Sequence, residues 1–244
     1  MSLMRTGALL VGLAVPACGM AQALVFDVLD QGGWTCQPAK KNAVCIMPGF
    51  IDALSNRSGI QIIPEKVPIP RMMDRLRHHD SSLTFGVATD TAGVVSLGEG
   101  FTIPLIAVTR KGTPPLARYE DLYRLKGVGF LRGARYGHRI DQDPLVPRVD
   151  VAQTSTALVM LAAGRLDAVV GTALLVAAQA KEENLEGTLG SRLILGHMTF
   201  NVVAAQDRAG DPRIQTVAKA LNELRAEGVF EQLLADTVGF SLTQ

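Results

Sequence analysis

Four glycines, at 127, 129, 133 and 137, punctuate the stretch Leu125–Ile140, LKGVGFLRGARYGHRI. The apolar run Val128–Leu131 reads as a strand, and a glycine turn between a strand and a helix is a common place to hold an oxyanion. The spacing is not that of a nucleotide loop. No Lys-Ser or Lys-Thr follows the glycines, and the pattern is GxGxxxG rather than GxGxxG. What remains is simpler chemistry. A helix from about Ala134 would offer free N–H groups at its start, and these hold a carboxylate or another oxygen without phosphate chemistry. Gly133 to Tyr136 would make the contact, and Arg132 or Arg135 would add positive charge. The bland alternative is a tight turn with a solvated arginine.

Other residues stand at similar turns. In AQTSTAL, Thr154 or Ser155 is a natural helix cap, or else offers a hydroxyl to a ligand. Thr172 caps the next helix, and either faces a ligand as well or serves as the cap alone. Trp34, the single tryptophan, either forms an apolar wall for a ligand or packs beside the cysteine loop. Arg71 begins the helix in PIPRMM and either points at a ligand or lies in solvent. Thr89 and Asp90 follow the strand SLTFGVA; Asp90 accepts hydrogen bonds from a hydroxyl or amine, or caps a turn. Asp167, in GRLDAVV, sits at the start of a strand and is given a structural role, because ligands gather at the other end. His78, His79, His138 and His197 have no metal spacing, and GxSxG and HExxH are absent. No metal, cofactor or catalytic residue is expected.

The elements that must carry these residues alternate. ALVFDVL, IQIIPEKV and SLTFGVA read as strands, separated by a helix containing Phe50 and Leu54 that stops at Gly59, and by the helix PIPRMMDRLRHH with Met72, Met73 and Leu76 inward. This is a β-α-β-α-β opening with a parallel sheet. FTIPLIAVTRKG is a long strand, placing a crossing near Pro104 to Gly112. The alternation restarts with GVGFL, RVDV, STALVMLAAG, RLDAVVG, TALLVAAQAKEENLEG and SRLILG. MTFNVVAAQ is a second long strand and the return crossing. Two helices, PRIQTVAKALNELRAEG and VFEQLLAD, close the chain. The apolar region TALVMLAAGRLDAVVGTALLVAAQA is broken by Gly164, Arg165 and Asp167, so it reads as helix, turn, strand, turn, helix rather than a membrane span. Two α/β lobes joined by two crossing strands imply a hinge and a cleft.

The ordered set GFIDAL, VPIPRMMDRLR, FTIPLIAV, YEDLYRLKGVGFLRGARYG, ALVMLAAGRLDAVV and LNELRAEGVFEQLLAD resembles the periplasmic solute-binding proteins of the polar amino-acid type, bacterial family 3. The resemblance implies an α/β, two-lobed type II fold, each lobe a mainly parallel sheet flanked by helices, with two crossing strands as hinge. Lobe one would be about 24–105 with 205–244, and lobe two about 106–204. It implies a monomeric, exported, non-catalytic protein that closes on a small polar solute for an ABC-type importer, with a membrane permease or a sensor as partner. The chain departs from the family pattern in three places. No Lys or Arg lies between Arg77 and Arg110, where the family's carboxylate clamp belongs. Gly171 and Thr172 stand where an ammonium-binding aspartate is common. The first-strand loop is replaced by GGWTCQPAKKNAVC. These departures leave open an accessory or sensor-linked protein with a degenerate cleft. A cyclohexadienyl-type dehydratase on the same scaffold would need a cleft acid, for which Asp90 is the lobe-one candidate.

The chain has 244 residues, 48% of them hydrophobic, and a net charge of +1, enough for one or two domains and without a basic patch for nucleic acid. Residues 1–23 read as a signal peptide: Arg5, an apolar run from Gly7 to Ala17, and AQA at Ala21–Ala23. Cleavage after Ala23 competes with lipid anchoring at Cys18. It leaves Cys36 and Cys45, which in an oxidising compartment are most simply a disulfide.

Overall fold

The computed structural model describes residues 23–36, 45–87 and 92–238. Most of the signal segment, with Cys18, and the candidates Thr89 and Asp90 lie outside the described residues. The opening alternation folds as β1 (Leu24–Leu29), α1 (Met47–Ser58), β2 (Ile62–Val67), α2 (Ile69–Arg77) and β3 (Leu83–Val87). β1 lies between β2 and β3 and is parallel to both. Gly59, at φ 69°, ends α1 by donating its N–H to the Ser55 carbonyl, a conformation that glycine adopts without a Cβ clash. α2 buries Met72 and Leu76.

The second half comprises β4 (Val94–Arg110), β5 (Val128–Leu131), β6 (Arg148–Val151), α3 (Thr154–Ala162), β7 (Ala168–Thr172), α4 (Ala173–Glu182) and β8 (Leu189–Ala205). β5 is parallel to both β6 and β7. α5 (Pro212–Ala226) and α6 (Val229–Val238) follow. α5 packs on α1 and β4, and so returns the chain to the first half. The strands form one sheet in the order β2-β1-β3-β8-β4-β7-β5-β6.

β4 and β8 are the link. Each has 17 residues and they pair antiparallel from Val94↔Ala205 to Arg110↔Leu189. At about 3.3 Å per residue this ribbon is roughly 55 Å long. β8 bonds to β3 through Phe200–Val203, and β4 bonds to β7 through Leu105–Thr109. The ribbon therefore belongs to both parallel sub-sheets. A register shift falls at Leu105/Ile106, beside Pro104, which has no N–H for the ladder.

Four local expectations are corrected. β4 starts at Val94, not Phe101, and SRLILG and MTFNVVAAQ are one strand, because Gly196 keeps its place opposite Leu105. No α-helix begins at Ala134. The chain loops to a 3-10 turn at Arg139–Asp141. Gly137 takes φ 63°, and the Asp141 carboxylate accepts the N–H groups of Tyr136 and Gly137 at 2.9 and 3.0 Å, so a side chain does what a helix would have left to a ligand. The cap of α3 is Gln153, with Thr154 already inside the helix. The apolar region around Gly164 does fold as α3, turn, β7 and α4, and no described helix is long and apolar enough to cross a membrane.

The core of the first half is aromatic. Phe50 lies 4.7 Å from Phe230, 4.9 Å from Phe101 and 5.3 Å from Phe85, ring centre to ring centre. Under it, the fully buried Asp27 carboxylate is held by Arg75 through Nε at 2.9 Å and Nη2 at 3.2 Å. Arg75 also pairs with Glu65, and these carboxylates raise its pKa, Asp27 most strongly.

Candidate ligand cavity

A cavity of about 250 Å³ opens where the two halves face each other. Its walls come from the carboxyl ends of three parallel strands: Leu29 closes β1, Leu131 closes β5 and Thr172 closes β7. This is where open α/β sheets place ligands. Met72 and Met73 of α2, Phe85 of β3, and Met198 and Phe200 of β8 complete the first-half side. Gly133, Ala134, Arg135, Tyr136 and Leu175 complete the other, and Gln31 and Trp34 reach in from the loop between β1 and α1.

That loop is tied at several points. Cys36 and Cys45 form the expected disulfide. The Gly33 carbonyl accepts from Ile46 at 3.0 Å and the Trp34 carbonyl from Met47 at 3.1 Å. Trp34 is buried, with its ring 4.8 Å from Phe200 and 5.4 Å from Phe85. The two alternatives for Trp34 thus coincide: it packs in the core beside the disulfide and also presents a face to the cavity.

The polar groups are few and partly committed. The Thr172 hydroxyl accepts from the Leu175 N–H at 3.4 Å, which caps α4. The Tyr136 hydroxyl donates to the Val170 carbonyl at 3.4 Å, and burial pushes its pKa up to about 12, so it stays neutral. Among the described residues no Asp or Glu lines this cavity. Arg135, exposed at the rim, is its one charged lining residue among those described.

The remaining candidates lie elsewhere. Thr154 and Ser155 line a separate polar pocket of about 390 Å³ with Asp30, Gln153, Gln179 and Glu183; it adjoins the first at Gln31, Leu131 and Leu175. Arg71 and Arg132 are exposed and line neither pocket. Asp167 precedes β7 and accepts the Lys126 N–H at 2.6 Å, away from the cavity. The structure thus brings Trp34, Gly133, Arg135, Tyr136 and Thr172 together, sets Thr154 and Ser155 next door, and leaves Arg71 and Arg132 outside. The sulfur and aromatic walls were missed as ligand surface. Met72 and Met73 read as core, and the period-two pair Met198 and Phe200, on one face of β8, was the available signal.

No protein-family model and no curated protein matches the chain. Solved structures do. A mutant of ArgBP from T. maritima superposes with a TM-score of 0.66 at 17% identity, covering 89% of this chain and 96% of that one. A histidine kinase sensor domain with similarity to periplasmic binding proteins gives 0.70 at 17%, covering 90% and 97%. The substrate-binding protein of an amino acid ABC transporter gives 0.66 at 14%, covering 89% and 100%. At these identities the likeness defines the fold: this chain has the two-lobed type II fold of the periplasmic binding proteins.

Proposed function

We propose that this protein is an exported, non-catalytic binding protein that holds one small solute between lobe one (about 24–105 with 205–244) and lobe two (about 106–204). The observation that carries this is the cavity walled by both halves at the carboxyl ends of β1, β5 and β7. Binding would stabilise the closed arrangement of the lobes about the β4–β8 ribbon. The Cys36–Cys45 disulfide supports an oxidising location, consistent with export to the periplasm. The closed form would be read by a membrane permease or a sensor; solved structures of both contexts share the fold. The resemblance implies a small polar solute, and the largely apolar lining favours one that also carries an apolar body. A dehydratase would need a carboxyl acid against its substrate, and none among the described residues lines the cavity.

The test is a melting-temperature screen of the mature protein against amino acids, organic acids, amines, sugars and polyols. A saturable upward shift with one solute class is expected. No shift with any class would contradict the proposal.

A further inference from the structure

Building on the solute-binding reading, we infer that the ligand is a small apolar monoanion, an aryl or branched aliphatic carboxylate, and not an amino acid. The cavity decides the body of the ligand. Trp34, Phe85, Phe200 and the thioethers of Met72, Met73 and Met198 make a wall suited to an aromatic or branched group. A volume of about 250 Å³ lies just below the ~300–1,000 Å³ of common small-molecule sites, so the body is small.

The charges decide the head. An ammonium brought into this cavity would meet no carboxylate among the described residues, and an unpaired buried charge is costly. A carboxylate would meet Arg135, whose guanidinium has no ion pair or hydrogen bond among the described residues. Gln31 adds an amide, and the Thr172 hydroxyl, accepting from Leu175, retains its own proton to donate. Asp30 and Glu183 lie in the adjoining polar pocket and do not line the apolar cavity. They repel a second anionic group on that side, which limits the ligand to one.

Calorimetric titration with four matched probes tests this: phenylacetate, phenylacetamide, 2-phenylethylamine and phenylalanine. Phenylacetate should bind about tenfold or more tightly than each of the others. Arg135→Gln should reduce phenylacetate to the level of phenylacetamide, while Arg132→Gln, outside both pockets, should leave it unchanged. Tighter or equal binding of phenylalanine or phenylethylamine overturns the inference while leaving solute binding standing, as does an Arg135→Gln variant that binds phenylacetate undiminished. No binding of any probe overturns the inference; if the broader solute screen is also silent, the solute-binding reading falls with it.

Discussion

A Cβ built on Gly32 would lie 1.9 Å from Nε2 of Gln179. Gly32 belongs to the loop after β1 and Gln179 to α4, so one half of the molecule is seated on the other with no room for a side chain. Its neighbour Gly33 also packs tightly: its Cβ would meet the Ala178 Cβ at 3.0 Å and the Leu174 carbonyl at 3.3 Å. The contact works as a latch beside the cavity, since the same loop carries Gln31 and Trp34 into the wall.

The two glycines should respond differently to alanine. Gly32→Ala meets side chains alone, Gln179 and the Glu182 carboxylate at 2.9 Å, and turning them aside breaks their 2.8 Å hydrogen bond, for about 1 kcal/mol. Gly33→Ala meets a backbone carbonyl and also places a Cβ at φ 87°, which costs a further ~1–2 kcal/mol. Chemical denaturation should rank Gly33→Ala as the more damaging. Small-angle scattering should show a larger radius of gyration for it, as the latch lets go.

Opening the disulfide should loosen that latch from its other end. The loop it closes is short, with Cys36 and Cys45 nine residues apart, so the chain-entropy model gives a loss of about 2–3 kcal/mol. Cys36→Ser with Cys45→Ser should lower the denaturation midpoint accordingly. Trp34 emission should shift to the red in the native baseline, because the loop that buries it is less constrained.

Arg75→Met should be among the most damaging substitutions in the first half. It strands the fully buried Asp27 carboxylate, at a cost of roughly 3 kcal/mol, the low end of the range for breaking a buried pair because Arg75 is partly exposed. Adding Asp27→Asn should restore part of the stability, since no buried charge then remains. Denaturation of the single and double variants measures the coupling.

Acid stability should depend on the cap of α5. Asp211 accepts from the Arg213 N–H at 2.9 Å and from its guanidinium Nε at 3.0 Å, and this arginine, foremost, lowers the Asp211 pKa to about 2. A depressed folded pKa gives stability that is complete above the ordinary aspartate value near 3.8 and is lost as pH falls through about 2. Asp211→Ala should cost about 1 kcal/mol at neutral pH. It should also flatten the stability profile between about pH 4 and 2, read by denaturation at fixed pH.

The frame of the fold was legible because its signals are local and periodic. Gly59 and Pro212 mark a helix end and a helix start, Asp167 sits before its strand as expected, and the apolar segment around Gly164 divides where its polar residues fall. The loop after β5 was not legible. Its conformation depends on Asp141 reaching back to two N–H groups, an interaction that periodicity does not encode. The lining of the candidate cavity was half legible. Trp34, Arg135, Tyr136 and Thr172 stood at turns, where ligand contacts are sought, but Met72, Met198 and Phe200 look like any core residues. Only the facing of two lobes turns that core surface into a cavity wall.

Trp34, the protein's single tryptophan, sits in that wall and reports on it without a label. Its emission, followed while phenylacetate and then a wider panel of small carboxylates are added to the mature protein, is the most direct test. The account predicts a saturable change in Trp34 emission with at least one apolar carboxylate, lost or weakened in Arg135→Gln. Emission that stays constant across the carboxylates, or that responds instead to zwitterionic amino acids, would contradict it.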